Sequence, residues 1–293
     1  MKVALLGLGK MGSGVAKCLL GAGTDLVVWN RSADKVEPFV AAGARTARSA
    51  RAAVTGVDVV ITSLMDDASV LALLEAPDGI LAGLPHGSIH LCITTISPKF
   101  ADQLDALHRR HGSHFVAGPV AGRPDSAAAG QLITFLAGDA SAVERVAPLC
   151  AAYARRVVRL GATPGTACCM KLCVNYMAVS IIELMGEIYT FAEKCGIPPA
   201  ALGDFFDDAF AHPALKTYAV KLRERKFAAA GGFTMKGGIK DVRMMLEASR
   251  AFGVAFDIGT VVERKMSQAM QLGMENDDWS AFSEITRRDA GLV

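Results

Sequence analysis

The 293-residue chain lacks any excess of charge: 31 Lys and Arg stand against 29 Asp and Glu, a net charge of +2. That balance excludes a partner held by bulk charge, such as nucleic acid or an anionic membrane surface. Seven cysteines form no C-x-x-C pair, and their odd number suits reduced thiols in a cytoplasm rather than a disulfide framework. Cys168, Cys169 and Cys173, close together on one helical stretch, read as small buried apolar residues. The longest charge-free run, 79–98, is broken by Pro85, three glycines and two histidines, so it does not read as a membrane span. The opening "MKVALLGLG" has one lysine and too few apolar residues before its first glycine for a signal peptide, and reads as a first β-strand. A soluble, cytoplasmic protein is expected.

What is present is a steady alternation. Apolar runs at 2–7, 25–30, 57–64, 88–94, 114–120, 132–138 and 155–161 read as strands, with helical patterns between several of them. Ser32 and Ser97-Pro98 are placed to open helices. This pace makes a mainly parallel, doubly wound sheet. From 166 to 194 the chain has few charges and no strong breaker, which predicts one long helix, apolar nearly all round and therefore central and buried. Helices are expected beyond it at 200–210, 213–227, 236–252 and 257–273. The fold class is thus α/β, a Rossmann dinucleotide-binding domain over 1–163 followed by an all-α domain over 164–293 that begins with the long helix.

The first turn carries the chemistry. Gly7, Gly9 and Gly12 give G-x-G-x-x-G between a strand and a helix at the start of a βαβ unit. Gly7 permits the tight turn, Gly9 lets backbone approach a pyrophosphate, and Gly12 lets helix and strand pack closely. With Leu8, Lys10 and Met11 they form the turn expected to face the cofactor, phosphates meeting the N–H groups of the helix start. A site for NAD would place Asp or Glu at the end of the second strand to bind the ribose 2′-OH. Here that place reads Asn30-Arg31-Ser32. A carboxylate would repel a 2′-phosphate, whereas Arg31 can hold one through two parallel charged hydrogen bonds, with Asn30 and Ser32 adding neutral ones. NADP(H) is the expected cofactor.

Lys171 is an isolated charge in an apolar helix, with Asn175 one turn on along the same face. On the residues alone, Lys171 either has its pKa lowered by burial for proton transfer or snorkels to a surface. His108 and His111 also share a helix face, but with Arg109 and Arg110 they read as cations at the negative end of a helix dipole rather than a metal site, and no metal is expected. His212 has no role that the sequence settles.

Four further stretches make the chain resemble the β-hydroxyacid dehydrogenases, the group of 3-hydroxyisobutyrate dehydrogenase and tartronate semialdehyde reductase, over essentially its whole length. "GLGKMG" matches that family's opening, and "TTISP" (94–98) matches its S-T-x-S-P stretch. "KLCVN" (171–175) is similar to its K-x-x-x-N, and "IKDV" (239–242) to its later K-D pair. The resemblance implies that Lys171 is the catalytic acid/base, Asn175 positions the reacting oxygen, Thr95 lies beside the nicotinamide, and Lys240 closes over the cofactor. "SLM" (63–65) falls where the third strand meets the cofactor, implicating Leu64 and Met65. Pairing through the helical domain, as a homodimer or homotetramer, is also implied.

One stretch departs from the pattern. Where the family reads Asp-Ala-Pro-Val-Ser-Gly-Gly, its serine and glycine amides holding a substrate carboxylate, this chain has Ala117-Gly118-Pro119-Val120-Ala121-Gly122-Arg123. The loop has lost a hydroxyl and gained a guanidinium, so Ala121, Gly122 and Arg123 are the candidate substrate contacts. The reading is an NADP(H)-dependent oxidoreductase of a small hydroxy acid, aldehyde or semialdehyde. The alternatives are an imine reductase on the same fold and a non-catalytic NADPH-binding interaction module.

Overall fold

The computed structural model describes residues 1–209, 213–228 and 232–292. The first part of the chain runs β1 (Lys2–Leu6), α1 (Lys10–Gly21), β2 (Asp25–Trp29), α2 (Glu37–Ala41), β3 (Arg45–Thr46), α3 (Ala50–Val54), β4 (Val59–Thr62), α4 (Asp67–Glu75), β5 (Ile89–Cys92) and α5 (Pro98–His111). It continues as β6 (His114–Ala117), β7 (Val120–Ala121), α6 (Pro124–Ala128), β8 (Leu132–Gly138), α7 (Ala140–Cys150) and β9 (Ala154–Arg159). Apart from Lys2, every residue of β1, β4 and β5 is buried. Such continuous burial is what a parallel strand covered on both faces shows.

These strands form one nine-stranded sheet in the order β3-β2-β1-β4-β5-β6-β8-β7, with β9 pairing β8. Pairing is parallel from β3 through β6, antiparallel at β6–β8 and β7–β8, and parallel again at β8–β9. Strand order reverses between β1 and β4, which opens a crevice at their carboxyl ends. The sequence reading has no β3, which is too short to show a period, and runs one strand over 114–120 where the structure ends β6 at Ala117 and starts β7 at Val120.

The second part is helical: α8 (Pro164–Lys194), α9 (Pro199–Ala209), α10 (Pro213–Glu224), α11 (Met235–Ala251), α12 (Asp257–Gln271) and α13 (Ser283–Asp289). By compactness the chain divides into Met1–Lys171 and Leu172–Val293, so α8 starts in the first unit and forms the spine of the second. Val179, Ile182 and Met185 are fully buried in the core of the second unit, which also holds Met235, Val262 and Phe282. Lys265 of α12, itself buried, donates to Glu183 of α8 and to Thr286 Oγ1 of α13 at 2.7 Å.

α8 corrects one expectation. Among the described residues it is the one helix long and apolar enough to cross a membrane by length and composition, but it is not buried all round. Met170, Met177, Leu184 and Phe191, each seven residues from the next, are 38%, 55%, 51% and 71% exposed. A seven-residue spacing keeps them in one stripe, opposite the side that forms the core. Cys168 is buried as expected, but Cys169 is only partly so and Cys173 is exposed; none of the seven cysteines forms a disulfide.

The histidines bring a second correction. Phe100, Leu104 and His108 follow one another at every fourth position on the buried face of α5, so His108 points inward and is fully buried. His108 Nε2 lies 3.0 Å from Nδ1 of the equally buried His90, and its Nδ1 lies 2.9 Å from Ser113 Oγ. His90 Nε2 in turn meets Thr62 Oγ1 at 2.9 Å. Burial and the His111 ring push the His108 pKa down to about 3, and burial holds His90 well below its ordinary value. Both are therefore neutral, and His108 is no dipole-stabilised cation. Ser97 does cap α5 as expected, accepting from Phe100 N at 3.3 Å, whereas the Ser32 side chain makes no capping bond.

A pH dependence follows. An unfolded histidine takes up its proton near pH 6.5, while folded His108 resists protonation down to about pH 3 and burial lowers His90 as well. Stability is therefore full above about pH 6.5 and falls as the pH drops from there toward 3. The urea midpoint at pH 5 should lie below that at pH 7.5, and the gap should narrow in His108→Gln. An equal gap in both proteins would contradict a buried, neutral pair.

Candidate active site

The β1–α1 turn is shaped by three glycines that do different work. A Cβ on Gly7, whose φ is +101°, would lie 2.2 Å from Ser63 O, and one on Gly12 would lie 2.0 Å from Gly7 O. Those two positions admit only hydrogen because protein backbone already fills the space. A Cβ on Gly9 would meet nothing within 4 Å. The opening beside Gly9 suits a ligand's close approach to backbone, and Gly9 is the N-cap of α1 with no side-chain cap. This is the donor chemistry a pyrophosphate requires, so the turn fits a dinucleotide.

Two residues expected to contact the cofactor are engaged within the turn. Leu8 sends its side chain into the core, and its N–H donates to Asn30 Oδ1 at 2.9 Å. Asn30 Nδ2 donates to Ser32 O at 3.1 Å, so the carboxamide ties the end of β2 to the turn after β1. Met11 packs against the same core. Arg31 and Ser32 are exposed at the end of β2. Arg31 lines a cavity of about 670 Å³ together with Trp29, Val36, Glu37, Thr46 and Arg48.

The ends of β4 and β5 are tied together nearby. Leu64 N donates to Thr94 Oγ1 at 2.9 Å, and that hydroxyl donates to Thr62 O at 3.3 Å. Thr95 follows directly, partly exposed, while Met65 is 58% exposed. Asp67 accepts from Ser97 N at 2.9 Å and Ser97 Oγ at 2.6 Å, fixing the turn into α5. Asp102 on α5 then accepts from Gly165 N at 2.9 Å, which anchors the first turn of α8. Lys171 stands six residues further along α8, about 9 Å along its axis, and is half-buried. The sequence reading missed Thr94, Asp67 and Asp102, because each acts on a partner at least 30 residues away.

The segment 118–131 is no slack linker. Ala121 pairs with Ile133 across β7 and β8, and Gly122 has a φ of +136°. Arg123 is the N-cap of α6, its side chain 19% exposed and its Nε 3.8 Å from Asp125 Oδ1. α6 in turn packs on α1: a Cβ on Gly14 would lie 2.8 Å from Ala127, and Cys18 Sγ donates to Ala127 O at 3.3 Å. The loop is therefore a docked strand-turn-helix.

In the second unit, Asn175 is buried and its Nδ2 donates to Asp241 Oδ2 at 2.8 Å. Asp241 is 2% exposed and pairs through Oδ1 with Lys240 Nζ at 2.6 Å. One buried carboxylate thus fixes the Asn175 amide, so that Oδ1 and the second N–H are the groups it can present. Asp241 lies 66 residues from Asn175, and only the adjacent Lys240 marked it in the sequence. His212 lies outside the described residues. Among the described residues no group of three or more His, Cys, Asp or Glu could hold a metal ion.

Comparison with known proteins bears on the family. Residues 2–161 match the model of the NAD-binding domain of 6-phosphogluconate dehydrogenase. Residues 165–285 match that of the NAD-binding domain of NADP-dependent 3-hydroxyisobutyrate dehydrogenase. The chain is 34% identical to the uncharacterized oxidoreductase YfjR of Bacillus subtilis, over 96% of this chain and 98% of that one. It is 31% identical to the NAD-dependent L-serine dehydrogenase of Pseudomonas aeruginosa, over 97% of each. Among solved structures, Mycobacterium tuberculosis 3-hydroxyisobutyrate dehydrogenase with L-serine gives a TM-score of 0.85 at 27% identity, covering 98% of this chain and 99% of that one.

The Asn175–Asp241 bond yields a test of its own. Asp241→Ala removes the buried carboxylate that accepts from Asn175 and pairs with Lys240, and should destabilise the protein by about 1–3 kcal/mol in urea unfolding. The loss should shrink in an Asn175→Ala background, because the shared bond is already gone. Equal losses in the two backgrounds would contradict it.

Proposed function

The chain belongs to the β-hydroxyacid dehydrogenase family, oxidoreductases of CH–OH and carbonyl groups, and from that premise we propose an NADP(H)-dependent enzyme acting on a small hydroxy acid or semialdehyde. The observation that carries the chemistry is Lys171 one helical turn before Asn175, whose amide is held by buried Asp241. Lys171 Nζ gives a proton to the substrate oxygen in reduction and takes it back in oxidation. Asn175 orients that oxygen, and Asp241 positions Asn175. A bound nicotinamide supplies or accepts the hydride. The family model for the second unit and the M. tuberculosis structure are named for 3-hydroxyisobutyrate, and the P. aeruginosa relative for L-serine, both 3-hydroxy acids. That common group supports a substrate with a carboxylate near the reacting carbon.

The P. aeruginosa relative is named as NAD-dependent. For this chain, Arg31 and the lack of a carboxylate at the end of β2 support NADP(H). In the loop, Ala121 has no hydroxyl to offer, so the carboxylate is taken by the Gly122 region's backbone and by Arg123. Asp125 competes for that guanidinium, but at 3.8 Å and 75% exposed it is a weak competitor. Retention of Lys171 favours carbonyl over imine reduction.

The exposed stripe Met170-Met177-Leu184-Phe191 supports a homodimer, or a tetramer built from it, through α8. Covering each side chain contributes on the order of 1 kcal/mol. A monomer by light scattering at micromolar concentration would overturn that part. Cysteines without a disulfide support a cytoplasmic location.

The reaction is tested with NADPH against small semialdehydes, aldehydes without a carboxylate, and cyclic imines. Semialdehydes should be reduced. Lys171→Ala should lower their kcat roughly 100-fold while barely moving NADPH affinity, since general acid catalysis supplies that much. Arg123→Met should raise KM about tenfold for acidic substrates only. Imine turnover that survives in Lys171→Ala would transfer the assignment to imine reduction.

A further inference from the structure

We propose that Arg48, in the turn that leaves β3, is a second arginine of the cofactor site and grips the same 2′-phosphate as Arg31. The inference rests on the NADP(H) reading and extends it to a residue on another strand. β2 and β3 are parallel neighbours, with Val28 opposite Thr46. Arg31 is the third residue beyond that pair on β2's side, and Arg48 the second beyond it on β3's side. Both therefore leave the sheet at the same carboxyl edge, where open α/β sheets bind ligands. Both line the one cavity of about 670 Å³.

The charges in that cavity call for an anion. Glu37 is the one carboxylate in its lining, against two guanidinium groups. Neighbouring Arg45 is paired with Asp25 at 2.6 Å. Among the described residues no carboxylate lies within ion-pair distance of Arg31 or Arg48. Two like charges facing one opening repel unless an anion lies between them, and a phosphate monoester carries about two negative charges near neutral pH. Each guanidinium can meet it with two parallel hydrogen bonds.

The position on the sheet selects the 2′-phosphate over the other phosphates. The pyrophosphate belongs at Gly9, beyond β1, and the ribose hydroxyls belong at the end of β2. A group that projects outward from there, away from β1, faces β3. The sequence reading passed over Arg48 because it lies 17 residues from Arg31 and follows a strand of only two residues.

The test compares Arg48→Gln with Arg31→Gln, both at exposed positions, by titrating each protein with NADPH, NADH and 2′,5′-ADP. Arg48→Gln should lower the NADPH-to-NADH affinity ratio roughly tenfold and weaken 2′,5′-ADP by a similar factor, as loss of a charge-assisted phosphate contact does. A ratio that falls in Arg31→Gln but not in Arg48→Gln overturns the role of Arg48 and leaves the NADP(H) reading standing. Equal weakening of NADPH and NADH by Arg48→Gln also overturns it, because the arginine then touches the shared adenosine. A wild-type protein that prefers NADH overturns the cofactor reading itself, and this inference with it.

Discussion

The crossing of the β1–α1 turn over the end of β4 constrains everything around it. Gly7, Gly12 and Ser63 bring three pieces of backbone so close that a methyl group on either glycine would sit about 2 Å from a carbonyl oxygen. No relaxation of a flexible side chain can relieve such a contact, because the obstructing atoms are main chain. This close approach aims the start of α1 at the carboxyl edge of the sheet. It also brings Leu8 within reach of Asn30, so the ends of β1 and β2 are held by one carboxamide. Gly9, free of any such obstruction, is left as the place where a ligand can come down onto backbone.

From there the candidate site is assembled by short polar ties between neighbouring strand ends. Thr94 holds the Leu64 amide, Asp67 holds Ser97, and Asp102 holds the first turn of α8. Each tie pairs an acceptor with a backbone N–H that would otherwise lack a partner, and each is worth on the order of 1 kcal/mol or more when the acceptor is charged. Their larger effect is geometric. Through Asp102, the start of α8 is referred to α5, and α5 to the loop carrying Thr95. Lys171 therefore belongs to the same compact unit as the cofactor turn. Asp241 does equivalent work in the second unit by holding Asn175 and Lys240.

Much of the fold was legible because its signals are local. Long apolar strands, the glycine turn and the unbroken helix over 164–194 each show a period or a spacing within a few residues. The two-residue strands β3 and β7 had no such period. Arg109 and Arg110 make His108 look like part of a charged helix end, whereas its spacing from Phe100 and Leu104 puts it on the buried face. α8, apolar nearly all round, reads as central and buried and as needing more cover than the residues after it supply, but sequence does not say which stripe is left bare. Glycine and lysine motifs pointed to the site, but the partners that orient them did not show. Asn30 to Leu8, Thr94 to Leu64 and Asp241 to Asn175 are bonds between residues 22, 30 and 66 positions apart.

Everything proposed for the site rests on hydride moving between a nicotinamide and a carbonyl carbon. Incubation with NADPH deuterated at both C4 positions and a small semialdehyde, followed by mass spectrometry of the alcohol, reads that transfer directly. One deuterium is expected on the carbinol carbon and none elsewhere. An alcohol formed without label, or no alcohol from any member of a semialdehyde series while NADPH binds normally, would contradict it.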